Sequence, residues 1–497
     1  MNDRAAFEHL QKGLAELWPT MSPRSSNPEP RTVIVVHSIS FWVPEHMYPL
    51  FPAYEERFLF FVLSALRQPA THVVYVTSQP VLPRLIDYFL DLVPDVNLDD
   101  VRQRLTFVSL SDPSPKPLTE KILCRPPVMA RIRREVARTK RAMIFPFNVS
   151  SLEMELSVQL GVPVYGPDPA LDHWGTKIGS RTIFMEQGVS HPVGVEGVST
   201  ANELTSGIER IRRQRPGVRK VVVKLDRAVS GLGNAIVDLE GVSDHEDVAA
   251  AIRNLAPEDR ETDADSYLGE LRTGGGIVEE LITGNEFRSP SVQLRNSPLG
   301  EVEIISTHDQ VLGGPTGQMF LGCQFPAEPA YVRAISEEAM KVGKRLASEG
   351  VIGRYGIDFV VTRSGTGSWL PFAIEINLRN GGTTHPFLTL IALTDGNYDP
   401  GSGIFTAPDG SERHYMATDH LEHENLKRLT PDDLLDLSVG APLAWSAEAL
   451  VGPAFHLVSA IAVSGQVGVT AIAGSRKTAH EMYSAIRERL IEEATKA

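Results

Sequence analysis

The chain has 497 residues, with 48 basic and 62 acidic side chains and a formal charge of −14. At ~100 to 200 residues per domain this length predicts about two to four domains, and the acidic balance argues against a protein that grips nucleic acid or an anionic membrane through a basic surface, though it leaves room for a local basic pocket. Two cysteines, Cys124 and Cys323, supply neither a disulfide framework nor a cysteine-rich zinc site, which fits a reducing cytoplasm.

The charged N-terminus has no apolar stretch of signal-peptide type, and no segment approaches the ~20 apolar residues that span a bilayer, so a cytoplasmic protein without membrane insertion is expected. An amphipathic opening helix leads into the Pro/Ser-rich spacer "PTMSPRSSNPEP". "RTVIVVHSIS", "THVVYVTSQ" and "RLTFVSLSD" are short runs of buried-strand type separated by helical stretches, and "AMIFPFN" and "VPVYGPDP" continue the alternation to residue 168. Strand and helix in alternation predict a parallel, Rossmann-like sheet. No G-x-G-x-x-G follows its first strand, which weakens a dinucleotide role.

From about residue 170 the texture changes. A helix over 177–187 is followed by a strand ending at Lys224, a Gly-rich turn and a strand at "GIVEELI". A long helix over 329–349 precedes "YGIDFVVTRSGTGSWLPFAIEINLRN", two strand-like runs around the turn "RSGTGS", and hence a β-hairpin. After "RNGGTTHPF" a Gly/Pro/Asp-rich loop leads to a C-terminal unit in which "AFHLVSAIAVSGQVGVTAIA" and a closing helix predict a hairpin backed by a helix. The expected divisions are residues 1–168, 169–395 and 396–497.

The hairpin carries the sharpest chemical signal. Folded symmetrically about Thr366 and Gly367, it sets Asp358 opposite Glu375, and like charges directly opposed on antiparallel strands are destabilising unless a cation intervenes. Asn377 and Arg379 share the Glu375 face, since strand side chains alternate. Two carboxylates and an amide oxygen are hard ligands suited to Mg²⁺, and Arg379 can hold a phosphate oxygen with a forked hydrogen bond. The alternative is that these acids pair with Arg354 and Arg379 on an exposed sheet face.

Other segments supply cations and polar loops. In "VVVKLDRAVSGLGNAIV" a strand delivers Lys224 ahead of Gly231 and Gly233, a point charge and a loop whose N–H groups can approach phosphate; a hairpin turn with an exposed lysine is the other reading. Lys177 opens a helix and is either a second phosphate cation or a solvated residue. In "GGIVEELITGNEF" the backbone at Glu280 and Ile282 can pair with a purine edge, while Glu279 and Glu286 can reach the purine amine and the ribose hydroxyls. "STHDQVLGGPTGQMFLG" offers His308, Asp309, Gln310 and Gln318 as an acceptor lining or an ordered turn cluster, and His385 in "GGTTHP" is a substrate contact or a structural histidine.

The order of these features, Lys177, Lys224 before its Gly loop, the Glu-bearing strand, then Asp358, Glu375 and Asn377, resembles the ATP-grasp superfamily over residues 30–392, with "EINLRNGGTTHP" as the most specific part. The resemblance implies an α/β fold: a Rossmann-like pre-ATP-grasp domain, a two-subdomain ATP-grasp fold and a small α+β C-terminal domain. Within the superfamily the chain is similar to the peptide ligases typified by the pheganomycin-forming enzyme.

That likeness implies Lys177 and Lys224 on the ATP phosphates, Glu279, Glu280 and Ile282 at adenine, Glu286 at ribose, Asp358, Glu375 and Asn377 on Mg²⁺ or Mn²⁺, and Arg379 beside the transferred phosphate. Thr176 stands where an acid commonly precedes the first lysine, with Asp172 upstream. The expected activity joins a carboxylate substrate to an amine or peptide co-substrate through an acylphosphate, with peptide natural-product biosynthesis as a setting. A biotin-carboxylase-like enzyme and a non-catalytic ATP-binding regulator are the alternatives. Residue type leaves the substrates and the oligomeric state open, a homo-oligomer included.

Overall fold

The computed structural model describes residues 3–22, 27, 29–60, 68, 70–93, 97–229, 231–363, 365, 367–440 and 442–496. The first sheet is parallel: β1 (Arg31–Val36), β2 (Thr71–Thr77), β3 (Leu105–Ser109) and β4 (Ala142–Pro146) run in the order β3-β2-β1-β4. Every residue of β1, β2 and β4 is buried, as expected when crossover helices cover both faces and the strands are continuously apolar. The expected spacer begins late, because the helix Leu14–Met21 runs through Pro19; residues 23–26 and 28 of the spacer lie outside the described residues.

The second sheet is antiparallel and small. It contains β5 (Gly194–Val198), β6 (Lys220–Leu225), β7 (Asn234–Asp238), β8 (Ala256–Pro257) and β9 (Gly276–Glu280), in the order β5-β9-β6-β7-β8. Alternation along β6 decides what each face does. Val221 and Val223 pack against Leu204, Ile208 and Ile211 of the helix Ala201–Gln214, which turns Val222 and Lys224 the other way.

The third sheet receives strands from the rest of the chain. These are β10 (Glu286–Arg288), β11 (Pro290–Asn296), β12 (Val302–Gly313), β13 (Met319–Phe325), β14 (Gly353–Arg363), β15 (Leu370–Asn377), β18 (His414–Glu422), β19 (Gly452–His456) and β20 (Gln466–Ala473), while β16 (Asn397–Asp399) and β17 (Ile404–Thr406) form a separate ribbon. Their path is β10-β14-β11-β12-β13-β18-β20-β19, with β15 on β14.

The expected C-terminal pair is there as β19 and β20. The two are antiparallel but joined by the short helical segments Val458–Ala460 and Ile461–Ser464 rather than a tight turn. They extend the large sheet and are backed by the helix Arg476–Lys496.

One face of the large sheet is sealed by two helices. Ile183 and Phe184 of Lys177–Glu186, and Tyr331, Ile335, Ala339, Val342 and Leu346 of Pro329–Ser348, pack on Ile357, Phe359 and Ile376. With that face closed, Asp358 turns toward the second sheet, and a cavity of about 430 Å³ lies between the two.

Candidate nucleotide and metal cleft

Pairing of β14 with β15 sets Asp358 directly opposite Glu375 and Gly356 opposite Asn377, with an irregularity just after Asp358. That is the register a hairpin symmetric about residues 366 and 367 predicts; Ser364 and Thr366 of the turn lie outside the described residues. Oδ1 of Asp358 accepts from Gln310 Nε2 at 2.9 Å, and Oδ2 from Asn377 Nδ2 at 3.1 Å. Asn377 Nδ2 also donates to Glu375 Oε1 at 3.1 Å, while Glu375 Oε2 lies 2.6 Å from Lys177 Nζ.

Burial, with the charge of Glu375 adding to it, raises the pKa of Asp358. Burial also works against the charge on Glu375, but Lys177 and Lys224 more than offset it and hold that carboxylate below its ordinary range. One acid of the pair is therefore compensated and the other is not. A divalent ion fits this donor set, because it would neutralise Asp358 and relieve the repulsion across the strands. Binding one through Asn377 requires its amide to turn over, since the amide nitrogen faces the carboxylates and Oδ1 accepts from Arg379 Nη2 at 3.1 Å. The guanidinium of Arg379 lies over the ring of Phe41, 5.2 Å from its centroid.

Lys177 begins its helix with Thr176 as N-cap, whose Oγ1 accepts from the Gly179 amide at 3.0 Å. The position that departs from the family pattern thus holds the helix start, and Asp172 pairs with Arg227 instead. Lys224 forms an ion pair with Glu279, whose other oxygen takes Arg181 Nη1 at 3.0 Å. Val222, Lys224, Gly231, Glu279, Glu280, Ile282, Gln310, Gln318, Asp358 and Glu375 all line the cavity.

Gly231 has φ of +81°, and a side chain there would come within 2.5 Å of the Gln318 carbonyl, so the Gly loop lies against the β12–β13 turn as only glycine permits. Asn234 Nδ2 ties the same two segments by donating to Gln318 Oε1 at 3.0 Å. Gly233 packs tightly on Ala228 and makes the turn itself. The Glu280 amide donates to the Val193 carbonyl at 2.8 Å, and its side chain accepts from the Val193 amide at 2.9 Å. What remains for a purine edge is the Glu280 carbonyl and the Ile282 backbone.

Four expected site residues fall elsewhere. Glu286 accepts from Arg363 at 2.6 and 3.1 Å on β10, outside the cavity lining. His308 shares a row with Asp358, through Ser291, but two strands away, where Phe325 and Tyr415 cover the sheet; its Nε2 is 2.7 Å from Tyr415 Oη, and burial pushes its pKa down to about 3. Asp309, on the opposite face, accepts from Tyr331 Oη at 2.6 Å and Arg476 Nη1 at 2.7 Å.

His385 is buried, with Nε2 2.9 Å from His456 Nε2 and 3.2 Å from Asp419 Oδ1; Arg57, 2.8 Å from the other oxygen of Asp419, already supplies that acid with a cation. For all four, the partners that satisfy the side chain lie far away in sequence. Arg181 was missed, though its position four residues after Lys177 put it on the same helix face.

A cleft whose walls carry Lys224 and the opposed Asp358–Glu375 pair, with Lys177 bound to Glu375, defines a nucleotide-binding α/β enzyme fold. The family described as IQCH-like, ATP-grasp matches residues 247–399. The L-propargylglycine–L-glutamate ligase of Streptantibioticus cattleyicolor is 30% identical over 443 residues, which cover 88% of this chain and 89% of that one. Among solved structures, biotin carboxylase from Campylobacter jejuni aligns with a TM-score of 0.54 at 15% identity, over 91% of this chain and 89% of that one. N5-carboxyaminoimidazole synthetase from Staphylococcus aureus, complexed with ADP, aligns with a TM-score of 0.51 at 10% identity, over 92% and 96%.

The chain belongs to the carboxylate–amine ligases of the ATP-grasp superfamily. It is an ATP-dependent enzyme that forms carbon–nitrogen bonds. Among the described residues no helix is long and apolar enough to cross a membrane.

Proposed function

We propose that this enzyme joins the carboxyl group of one amino acid or short peptide to the amine of another, with ATP held in the cleft and Mg²⁺ or Mn²⁺ at Asp358, Glu375 and Asn377. The observation that carries the reading is the directly opposed Asp358–Glu375 pair, with Lys177 on Glu375 and Lys224 in the wall of the cavity that the two acids line. The relative from Streptantibioticus, named for two amino acids, supports the substrate class.

In this reading Lys177 and Lys224 exchange their present partners, Glu375 and Glu279, for phosphate oxygens. Gly231 brings backbone N–H groups close to the same phosphates, and the Glu280 carbonyl and Ile282 amide take the purine edge. The bound cation supplies charge neutralisation for phosphoryl transfer. An oxygen of the acid attacks the γ-phosphorus, the bridging P–O bond breaks and ADP leaves. Arg379 donates to the oxygens of the transferred group, and the surrounding fixed dipoles stabilise charge as it develops. The amine then attacks the acylphosphate carbon, inorganic phosphate departs and the nitrogen loses a proton. Residues 1–168 and 396–497 are read as flanking domains that wall the substrate end.

Purified enzyme given ATP, Mg²⁺ and pairs of amino acids or short peptides should release ADP and phosphate, with a product whose mass equals the two substrates less one water. ADP release that requires bicarbonate and biotin, or nucleotide binding with no turnover across the screen, would overturn the assignment.

A further inference from the structure

Two rows beyond the metal row the large sheet reverses its charge problem. Arg354 of β14 stands directly opposite Arg295 of β11, and Arg295 opposite Glu303 of β12. Two cations thus share one acid, and that acid pairs with Arg295. Among the described residues no carboxylate pairs with Arg354. Directly opposed like charges are destabilising, and a half-buried cation without an anion adds to the cost. Burial, with Arg295 adding to it, pushes the pKa of Arg354 down to about 10.

Two more donors here lack partners: the buried hydroxyl of Tyr165, whose titration feels both guanidiniums, and Nε of Arg295. A cavity of about 10 Å³, room for about one water, lies beside Arg354 between the polar Gln293, Ser306, Thr383 and Thr384 and the apolar Leu294, Ile305 and Phe387. The last two residues start the helix Thr384–Thr394, which has no side-chain cap.

The same strand connects this cluster to the cleft. Arg354, Gly356 and Asp358 share one face of β14, and Gly356 places no side chain between the other two, so that the amide of Gln293 lies across the gap. Among the described residues, that amide's one hydrogen-bond contact is with Ser291 Oγ, at 3.4 Å. Four residues of strand set Arg354 about 13 Å from Asp358, a span divided between a metal-bound phosphoryl group and a short acid. We propose that Arg354, with Tyr165, binds a second carboxylate of the acyl donor, so that the acid substrate is a dicarboxylate such as an acidic amino acid.

The inference rests on the ligase reading only for the identity of the site's occupant, and the two can be tested apart. Glutarate binding is measured by calorimetry on the full chain with a non-hydrolysable ATP analogue present. Arg354→Met should weaken it about tenfold or more, as loss of a charged hydrogen bond does, while leaving nucleotide affinity and the weaker binding of butyrate unchanged. Tyr165→Phe, which removes one hydroxyl, should weaken glutarate several-fold and covers the case in which the arginine variant fails to fold.

Wild-type turnover should be supported by dicarboxylic amino acids at lower KM than by their amides. Unchanged glutarate affinity in both variants, or equal binding of butyrate and glutarate, would overturn the proposal. Arg354-dependent glutarate binding without ADP release from any acid would keep the site and reject the ligase reading.

Discussion

Asp358 and Glu375 face each other across two antiparallel strands, and only Glu375 has a lysine beside it. The imbalance leaves Asp358 as the acid of the pair with no ion-pair partner among the described residues, its pKa raised by burial and by Glu375.

Glu375→Gln should reduce amine-dependent ADP release by roughly 100-fold or more, the scale seen when a group that stabilises transferred charge is removed. The fold should survive, because the side chain faces the cleft and not the helix-covered core. Wild-type turnover by the purified variant, with matching circular dichroism, would remove this residue from the metal site.

Mg²⁺ affinity should fall as the solution is acidified from neutrality. Burial raises the Asp358 pKa, so protons compete with the metal well above the usual carboxylate range, and binding releases a proton there. Titration calorimetry in buffers of different ionisation enthalpy counts that proton. Asp358→Asn should abolish the pH dependence along with most of the affinity.

Lys224→Ala should weaken ATP binding by about tenfold or more, roughly 1.4 kcal/mol or above. Glu279 keeps Arg181 at 3.0 Å, so the cost to stability should be the smaller effect. Unchanged nucleotide affinity would reassign this lysine to a structural pair with Glu279.

Gly231→Ala adds a side chain that meets the Gln318 carbonyl, at a residue with φ of +81°. Closure of the Gly loop on the β12–β13 turn should suffer, seen as faster nucleotide release in stopped flow with little change in melting temperature. A global loss of stability in place of a kinetic change would place the glycine in the folding core.

Glu56 is buried, and burial raises its pKa from 4.5 to about 7. A carboxyl raised in the folded state favours folding while protonated, so its contribution is complete below 4.5 and is lost as the pH rises through about 7. The melting temperature should drop by a few degrees over that interval, and Glu56→Gln should flatten the drop. Equal slopes for the two proteins would mean that another group titrates.

Much of this arrangement was legible in the chain. The hairpin register follows from a symmetric turn and a side-chain period of two, and the parallel first sheet from alternating apolar runs and helices. Lys177 and Lys224 could be located because strand ends and helix starts carry local signals. His308, Asp309, Glu286 and His385 could not be judged locally. Their partners Tyr415, Tyr331, Arg363 and Asp419 come from separate strands and helices, and composition does not reveal which polar side chains a fold will satisfy internally.

By itself the sequence determined the alternation of strand and helix and the pairing of acids across one turn, since both depend on periodicities of a few residues. Only the tertiary structure decided which charges were left without partners. It joined the C-terminal strands to the central sheet, enclosed His385 with Asp419 and His456, and set Arg354 against Arg295. The physical reason is that burial and electrostatic compensation belong to neighbours in space, and here those neighbours are separated by tens to hundreds of residues along the chain.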